Sequence, residues 1–267
     1  MRALSWIDAT EAPPMTIEHG QLEVCAFTHP SPDHADRNED AAGIWLQDDG
    51  SAVLAVADGL GGMPRGAEAA ASAIRSIDDS LRGLSPGNAY RPAILDAFEQ
   101  ANSTLLSSIA GSGTTLVIAE LSDGHARTYN VGDSAALIVG QRGRVKLETI
   151  AHSPVGYGVA AGMIDADSAL EHEDRHYLSN HLGARTMHVE VGTARPFAAR
   201  DTLLLASDGL LDNVAHTEIV EIVRCGPLRD AAQRLAELSA SRMAGGDPNV
   251  EGKPDDVTFL LLRRCAQ

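Results

Sequence analysis

Little in this sequence is aromatic: Phe, Trp and Tyr make up 4% of its 267 residues. A core with so few rings must be packed from Ala, Val, Leu and Ile, and hydrophobic residues at 44% supply enough of them for one sizeable domain. Cysteine is scarce too. Cys25, Cys225 and Cys265 lie far apart, show no metal-ligand spacing and leave an odd count. That argues against a disulfide framework and fits a reducing compartment. Positive charge is also short. A formal net charge of −16 speaks against a general nucleic-acid binder, whose phosphates would be repelled. It does not exclude phosphate chemistry, because bound divalent cations reverse the local sign. No uncharged apolar run approaches the roughly 20 residues needed to span a bilayer, and no basic segment followed by an apolar stretch opens the chain. The expectation is therefore a cytoplasmic chain with no membrane span and no nucleic-acid partner, folded as one domain over residues 1–267.

What is present is a run of short apolar segments with sharp ends. Residues 1–20, with Pro13 and Pro14, read as irregular. Val24–Phe27, Ala42–Leu46 and Val53–Val56 read as strands, each bounded by Gly, Pro, Asp or Asn. The period then changes. Ala67, Ala70, Ala71, Ile74, Ile77 and Leu81 share one face of a helix over 66–82, and a second helix is expected from Pro92 to Ile109. Strands follow at Thr114–Leu121, His125–Val131, Ala135–Val139 and Val145–Ile150, and the Asp123-Gly124 turn is a hairpin signal. Residues 151–182 read as a short helical insertion. Strands resume at Met187–Gly192 and Thr202–Ala206. Helices over Thr217–Val223 and Leu228–Met243, then a polar loop Gly245–Pro254, precede a last strand at Val257–Leu262. Helices that interrupt antiparallel runs predict an α+β fold in which helices cover sheets.

Acidic residues recur where apolar strands stop. Glu39 and Asp40 precede one strand, Asp58-Gly59 ends the next, and Asp133 follows Tyr129–Val131. Asp208-Gly209 ends Leu203–Ala206, and Asp255-Asp256 opens the final strand. An isolated Asp-Gly at a strand end is ordinarily a turn, and an isolated Asp a cap. Five recurrences with glycine beside or near the acid point instead to convergence. Carboxylates gathered at one sheet edge repel strongly unless cations intervene. Oxygen ligands without Cys or His suit hard cations such as Mg²⁺ and Mn²⁺.

Taken in order, Asn38-Glu39-Asp40, Asp58-Gly59-Leu60-Gly61-Gly62, Gly113-Thr114-Thr115, Gly132-Asp133-Ser134, Ser207-Asp208-Gly209-Leu210 and Asp255-Asp256-Val257-Thr258 form a pattern. It resembles the PPM (PP2C-like) metal-dependent protein serine/threonine phosphatases of bacterial type, over a core of about residues 22–264. Each tetrapeptide alone is weak; six in family order are specific. The resemblance implies a four-layer αββα sandwich with two central antiparallel sheets, and hydrolysis of phosphoserine and phosphothreonine by water activated between two Mg²⁺ or Mn²⁺ ions. It implies that Asp58 bridges the ions and that Glu39 or Asp40 serves one of them directly or through water. Gly59 would offer its carbonyl, and Asp208 and Asp255 would hold the other ion. Asp133 matches an aspartate linked to a third, weaker ion. Asp58 and Asp208 are thus the acids on which catalysis is expected to depend. Phosphorylated proteins are the implied substrates and a Ser/Thr kinase the implied partner; a monomer is expected.

The chain departs from that pattern in three places. Family members place a phosphate-gripping Arg four residues before the Glu, and Ala35 stands there. Arg37 is either its substitute or a solvated loop residue. Leu60 fills a position where some relatives carry a histidine as a possible general acid, which leaves His34 or a water for the proton. Ala135 follows Ser134 where Arg is common. Residues 151–182 correspond to the family's substrate-contacting flap, and the spacings of His152, His172, His176 and His181 match no common zinc pattern. Two other readings stay open. One is a catalytically weak, phosphatase-like phosphoprotein-binding protein, favoured by Ala35 and disfavoured by the retained acids. The other is a metal-dependent nuclease, disfavoured by the acidic charge.

Overall fold

The computed structural model describes residues 1–84, 89–165, 168–246 and 252–265, with the side chains of residues 170, 171, 175 and 176 left aside. In chain order its elements are β1 (Arg2–Ile7), β2 (Glu11–His19), β3 (Leu22–His29), β4 (Asp40–Leu46), β5 (Ala52–Asp58), α1 (Gly66–Arg82), α2 (Tyr90–Ser108), β6 (Leu116–Ser122), β7 (His125–Val131), β8 (Ala135–Val139) and β9 (Val145–Glu148). Then come α3 (Pro154–Ala160), two 3₁₀ turns, β10 (Glu190–Val191), β11 (Arg195–Pro196), β12 (Thr202–Ala206), α4 (Asp208–Leu211), α5 (His216–Val223), α6 (Leu228–Met243) and β13 (Val257–Arg264).

The strands form two antiparallel sheets. One runs β1-β4-β5-β6-β7-β10, with β11 also on β7; the other runs β2-β3-β13-β12-β8-β9. Strand alternation sorts the side chains into three layers. In β5, Ala52, Leu54 and Val56 turn inward to meet Leu203, Leu205, Leu260 and Leu262 of the other sheet. Val53, Ala55 and Ala57 turn outward beneath α1 and α2. The second sheet does the same, sending Leu204, Ala206, Phe259 and Leu261 outward to α5 and α6. The result is an αββα sandwich. Small residues set its spacing: Ala69, Ala70 and Ala73 let α1 lie close on the sheet. Trp45 is buried there and donates its indole N–H to Asp78 Oδ1 at 2.8 Å, so its polar edge is satisfied.

Three expectations need correction. Residues 1–20 are not irregular: β1 and β2 are edge strands, one on each sheet, so the sandwich begins well before residue 22. Edge strands bury little, which erases the alternation signal, and an edge tolerates Pro13 and Pro14 where a central strand would not; the β2–β3 register also shifts between Glu11 and Met15. Met187–Gly192 yields only Glu190–Val191, because Asn180 takes over the role of a ladder partner. Its side chain accepts from His188 N at 3.1 Å and donates to His188 O at 2.8 Å. The strand from Val145 stops at Glu148, where Thr149 Oγ1 instead accepts from Ala136 N at 2.9 Å. Residues 247–251 of the expected polar loop lie outside the described residues.

Candidate active site

The period of the strands decides where the acids point. Asp58 continues the inward series Ala52, Leu54, Val56, and Asp40 begins the inward series Asp40, Ala42, Ile44, Leu46. The two acids are cross-strand partners in the β4–β5 ladder. Facing them, Ser207 extends the inward series of β12, and Thr258 extends that of β13. At this end the layer between the sheets changes from aliphatic to Asp, Ser and Thr.

Hydrogen bonds fix the surroundings. Ser207 Oγ donates to Asp40 Oδ2 at 2.8 Å, while Asp40 Oδ1 is buried with no hydrogen-bond partner among the described residues. Asp58 is held by its backbone: its carbonyl accepts from Thr114 Oγ1 at 2.7 Å and Thr115 N at 2.8 Å. Asp256 is consumed structurally, accepting from Ser31 N and Glu39 N at 2.6 Å each, and so ties the loop before β4 to the start of β13. Its neighbour Asp255 is left to face Asp208. Two glycines permit the close approaches. A Cβ on Gly59 would meet the Gly66 carbonyl, and one on Gly209 would collide with Asp256 O.

The charges are unbalanced as placed. Burial and then Asp256 push Asp40 well above the usual carboxylate range. Burial, then Asp40, Asp208, Asp255 and Asp133, do the same to Asp58. Burial, Asp208 and Asp212 push Asp133 up to about 7, and burial with Asp208 pushes Asp255 up to about 6. Acids crowded and buried in this way hold their protons unless a cation offsets the charge. The donors are oxygens from carboxylates, one buried oxygen is unspent, and the set fits hard divalent ions. As placed, no three His, Cys, Asp or Glu side chains among the described residues are grouped so as to hold a metal ion; three of the acids are instead gathered round Lys253.

The structure thus brings Asp40, Asp58, Asp133, Asp208 and Asp255 into one electrostatic group. Glu39 stands beside it with Oε2 against Gly66 and ion-pairs with Arg37, whose side chain is 57% exposed. His34 sits at the rim, with Nδ1 3.8 Å from Asp256 Oδ1. Two members were not flagged by sequence: Asp212 and Lys253. Asp212 lies one helical turn after Asp208, an i,i+4 spacing that could have singled it out.

Next to the acids lies a cavity of about 380 Å³, bounded by Asp133, Asp208 and Asp212 on one side and by Val155, Val159 and Ala160 of α3 on the other. His152 ties the segment before α3 to the Asp133 loop. It is buried, and its Nδ1 accepts from Gly132 N at 3.1 Å and from Asn180 Nδ2 at 2.8 Å. That leaves the proton on Nε2, 3.2 Å from Glu190 Oε2. His172 accepts from Asp174 N at the start of a 3₁₀ turn, and His181 packs beside Gly113.

Two antiparallel sheets between helix pairs, with acids from both sheets meeting at one end, define the class of metal-dependent protein phosphatase sandwiches. The family described as Protein phosphatase 2C matches residues 33–242, and the chain belongs to it. It is 30% identical over 237 residues to the serine/threonine phosphatase stp of Listeria monocytogenes, covering 85% of this chain and 90% of that protein. Among solved structures it is similar to the serine/threonine phosphatase Stp1 from Staphylococcus aureus, with a TM-score of 0.76 and 27% identity over 94% of this chain and 98% of that one. It also shares its fold with the catalytic domain of the phosphatase PstP in complex with two manganese ions. There the TM-score is 0.69 at 24% identity, over 92% of this chain and 99% of that one.

Proposed function

We propose that this chain is a single-domain protein serine/threonine phosphatase that hydrolyses phosphoserine and phosphothreonine with water activated by a pair of Mg²⁺ or Mn²⁺ ions. The observation that carries the reading is the meeting of Asp40 and Asp58 of one sheet with Asp208 and Asp255 of the other, with Asp40 Oδ1 buried and unpartnered among the described residues. When bound, such ions supply a lowered water pKa and positive charge opposite the phosphoryl oxygens. Asp58 would serve both ions, the Gly59 carbonyl and Glu39 or Asp40 would help hold one, Asp208 and Asp255 would hold the other, and Asp133 would serve a third, weaker site. The chain's own part is to orient. The Thr114 and Thr115 bonds fix the Asp58 backbone, Ser207 fixes Asp40, and the Asp256 bonds hold the Glu39 segment. The cavity beside Asp208 receives the substrate segment that carries the phosphate. Arg37 is assigned to the phosphate, which requires it to leave Glu39 for the dianion.

Phosphoprotein substrates, a partner Ser/Thr kinase, a role in signalling, a monomeric state and a cytoplasmic location complete the proposal. Among the described residues no helix is long and apolar enough to cross a membrane. A binding protein without turnover is favoured by Ala35 alone, and Asp58, Asp208 and Asp255 are all retained, while the relatives are named as phosphatases. The deciding experiment is hydrolysis of a phosphothreonine peptide across a Mn²⁺ titration with an EDTA control. Steady turnover that Asp58→Asn abolishes is the expected result; turnover indifferent to EDTA would refute it.

A further inference from the structure

Of the chain's twenty-one basic residues only two are lysines, Lys146 and Lys253. Both are drawn to carboxylates, but differently. Lys146 makes a closed pair, with Nζ 2.7 and 2.6 Å from the two oxygens of Asp201. The Nζ of Lys253 lies 2.7 Å from Asp208 Oδ2, 3.0 Å from Asp212 Oδ2 and 3.0 Å from Asp255 Oδ2. An ammonium is a compact charge with three donors, unlike the flat fork of arginine. Here the ammonium touches three separate carboxylates, hydrogen-bonded to Asp208 and Asp212 and ion-paired with Asp255, and two of those belong to the assigned metal ligands. The base of the residue is anchored. Lys253 N donates to Asn213 Oδ1 at 2.9 Å, and Lys253 O accepts from Asn213 Nδ2 at 2.9 Å. The side chain is 23% exposed, so the ammonium can withdraw to solvent while its backbone stays put.

We propose that Lys253 is the resident counter-ion of the Asp208, Asp212 and Asp255 carboxylates, and that a divalent ion must displace it to enter. The inference rests on the metal-dependent reading of the site. Its physical ground is exclusion: an ammonium and a doubly charged ion repel at a few ångströms and want the same oxygens. Without metal, Lys253 offsets the mutual repulsion of three acids. With metal, it is a competitor built into the chain. Lys253 therefore sets how tightly the site takes its ions, and the metal-free sandwich need not collapse when they leave.

Two measurements test this. In the first, Mn²⁺ is titrated calorimetrically into metal-stripped wild type and Lys253→Met. The variant is expected to bind Mn²⁺ about tenfold more tightly or better, while its metal-free melting temperature falls. Unchanged or weaker binding overturns the proposal. The second uses the wild type alone, so it does not depend on the variant folding. Acetylation of Lys253 by an N-hydroxysuccinimide ester is followed by peptide mass, with Lys146 as internal reference. Mn²⁺ is expected to speed modification of Lys253 several-fold relative to Lys146; an unchanged or slower rate overturns displacement. If the wild type takes up Mn²⁺ and the variant binds it no more tightly, the lysine proposal fails alone. If neither protein takes up Mn²⁺, the metal-dependent reading fails with it.

Discussion

The β4–β5 hairpin carries aspartates at both of its ends, and they behave oppositely. At the turn, Asp49 accepts from Ser51 Oγ at 2.6 Å and Ser51 N at 2.9 Å, and these bonds hold it below the usual carboxylate range. At the open end, Asp40 and Asp58 stand opposite one another with few donors, and burial and neighbouring charge push both well above it. The β6–β7 hairpin also has an aspartate in its turn and another past its open end. Asp123 makes its turn, while Asp133 beyond the far end of β7 is pushed up to about 7. The residue type is constant and the strand context similar, so neither defines a functional acid. What sets Asp40 and Asp58 apart is convergence under burial: Asp49 is satisfied by its own loop, whereas these two face other carboxylates.

The contrast can be broken at its strongest point first. Asp58→Asn and Asp208→Ala are each expected to lower phosphopeptide turnover about a thousandfold or more. Far-UV circular dichroism should be unchanged, and the EDTA melting temperature of Asp58→Asn should hold or rise, because a crowded acid has been removed. A variant that unfolds would give these residues a structural role instead. Next comes Gly209→Ala, whose added carbon collides with Asp256 O. Overpacking of this kind costs about 1–3 kcal/mol, to be read as a lower urea midpoint.

A smaller effect is visible in pH. In EDTA, folded Asp133 keeps its proton up to about 7, whereas an unfolded aspartate loses it near about 4. Between those limits the folded chain binds more protons, so stability falls as pH rises, and the loss is complete once pH passes the folded value. Asp133→Asn should flatten the decline in melting temperature between about pH 5 and pH 8; a steeper decline would contradict the assignment. The smallest effect belongs to the turn. Asp49→Ala should cost about 0.5–1.5 kcal/mol of stability for its lost hydrogen bonds and leave kcat/KM unchanged.

Much of this was legible from residues alone, and the gaps have physical causes. Continuous apolar runs such as Ala52–Ala57 announce themselves because both alternating faces of the strand are buried, each against a different layer. The same parity aims Asp40 and Asp58 between the sheets. Edge strands β1 and β2 were not legible, since a strand half in solvent need not alternate. Asp256 could not be told from Asp255 by local chemistry; only the tertiary bonds to Ser31 N and Glu39 N reveal which of the two is consumed. Lys253 was invisible for a related reason. Nothing near it in the chain says that its ammonium reaches back to Asp208 and Asp212.

Asp40 and Asp58 hang from one sheet, Asp208 and Asp255 follow strands or begin them in the other, and the aliphatic filling between the leaves gives out just before it reaches them. The sandwich is therefore like a book bound by its grease along most of the page and latched by charge along one margin. A divalent ion held by acids of both leaves would then decide how firmly the covers shut there, whereas Lys253 reaches acids of one leaf alone. Loading the enzyme and stiffening one lip of its scaffold would then be the same event seen by two instruments, and chelation would loosen that lip while the hairpin turns at the opposite margin stayed closed.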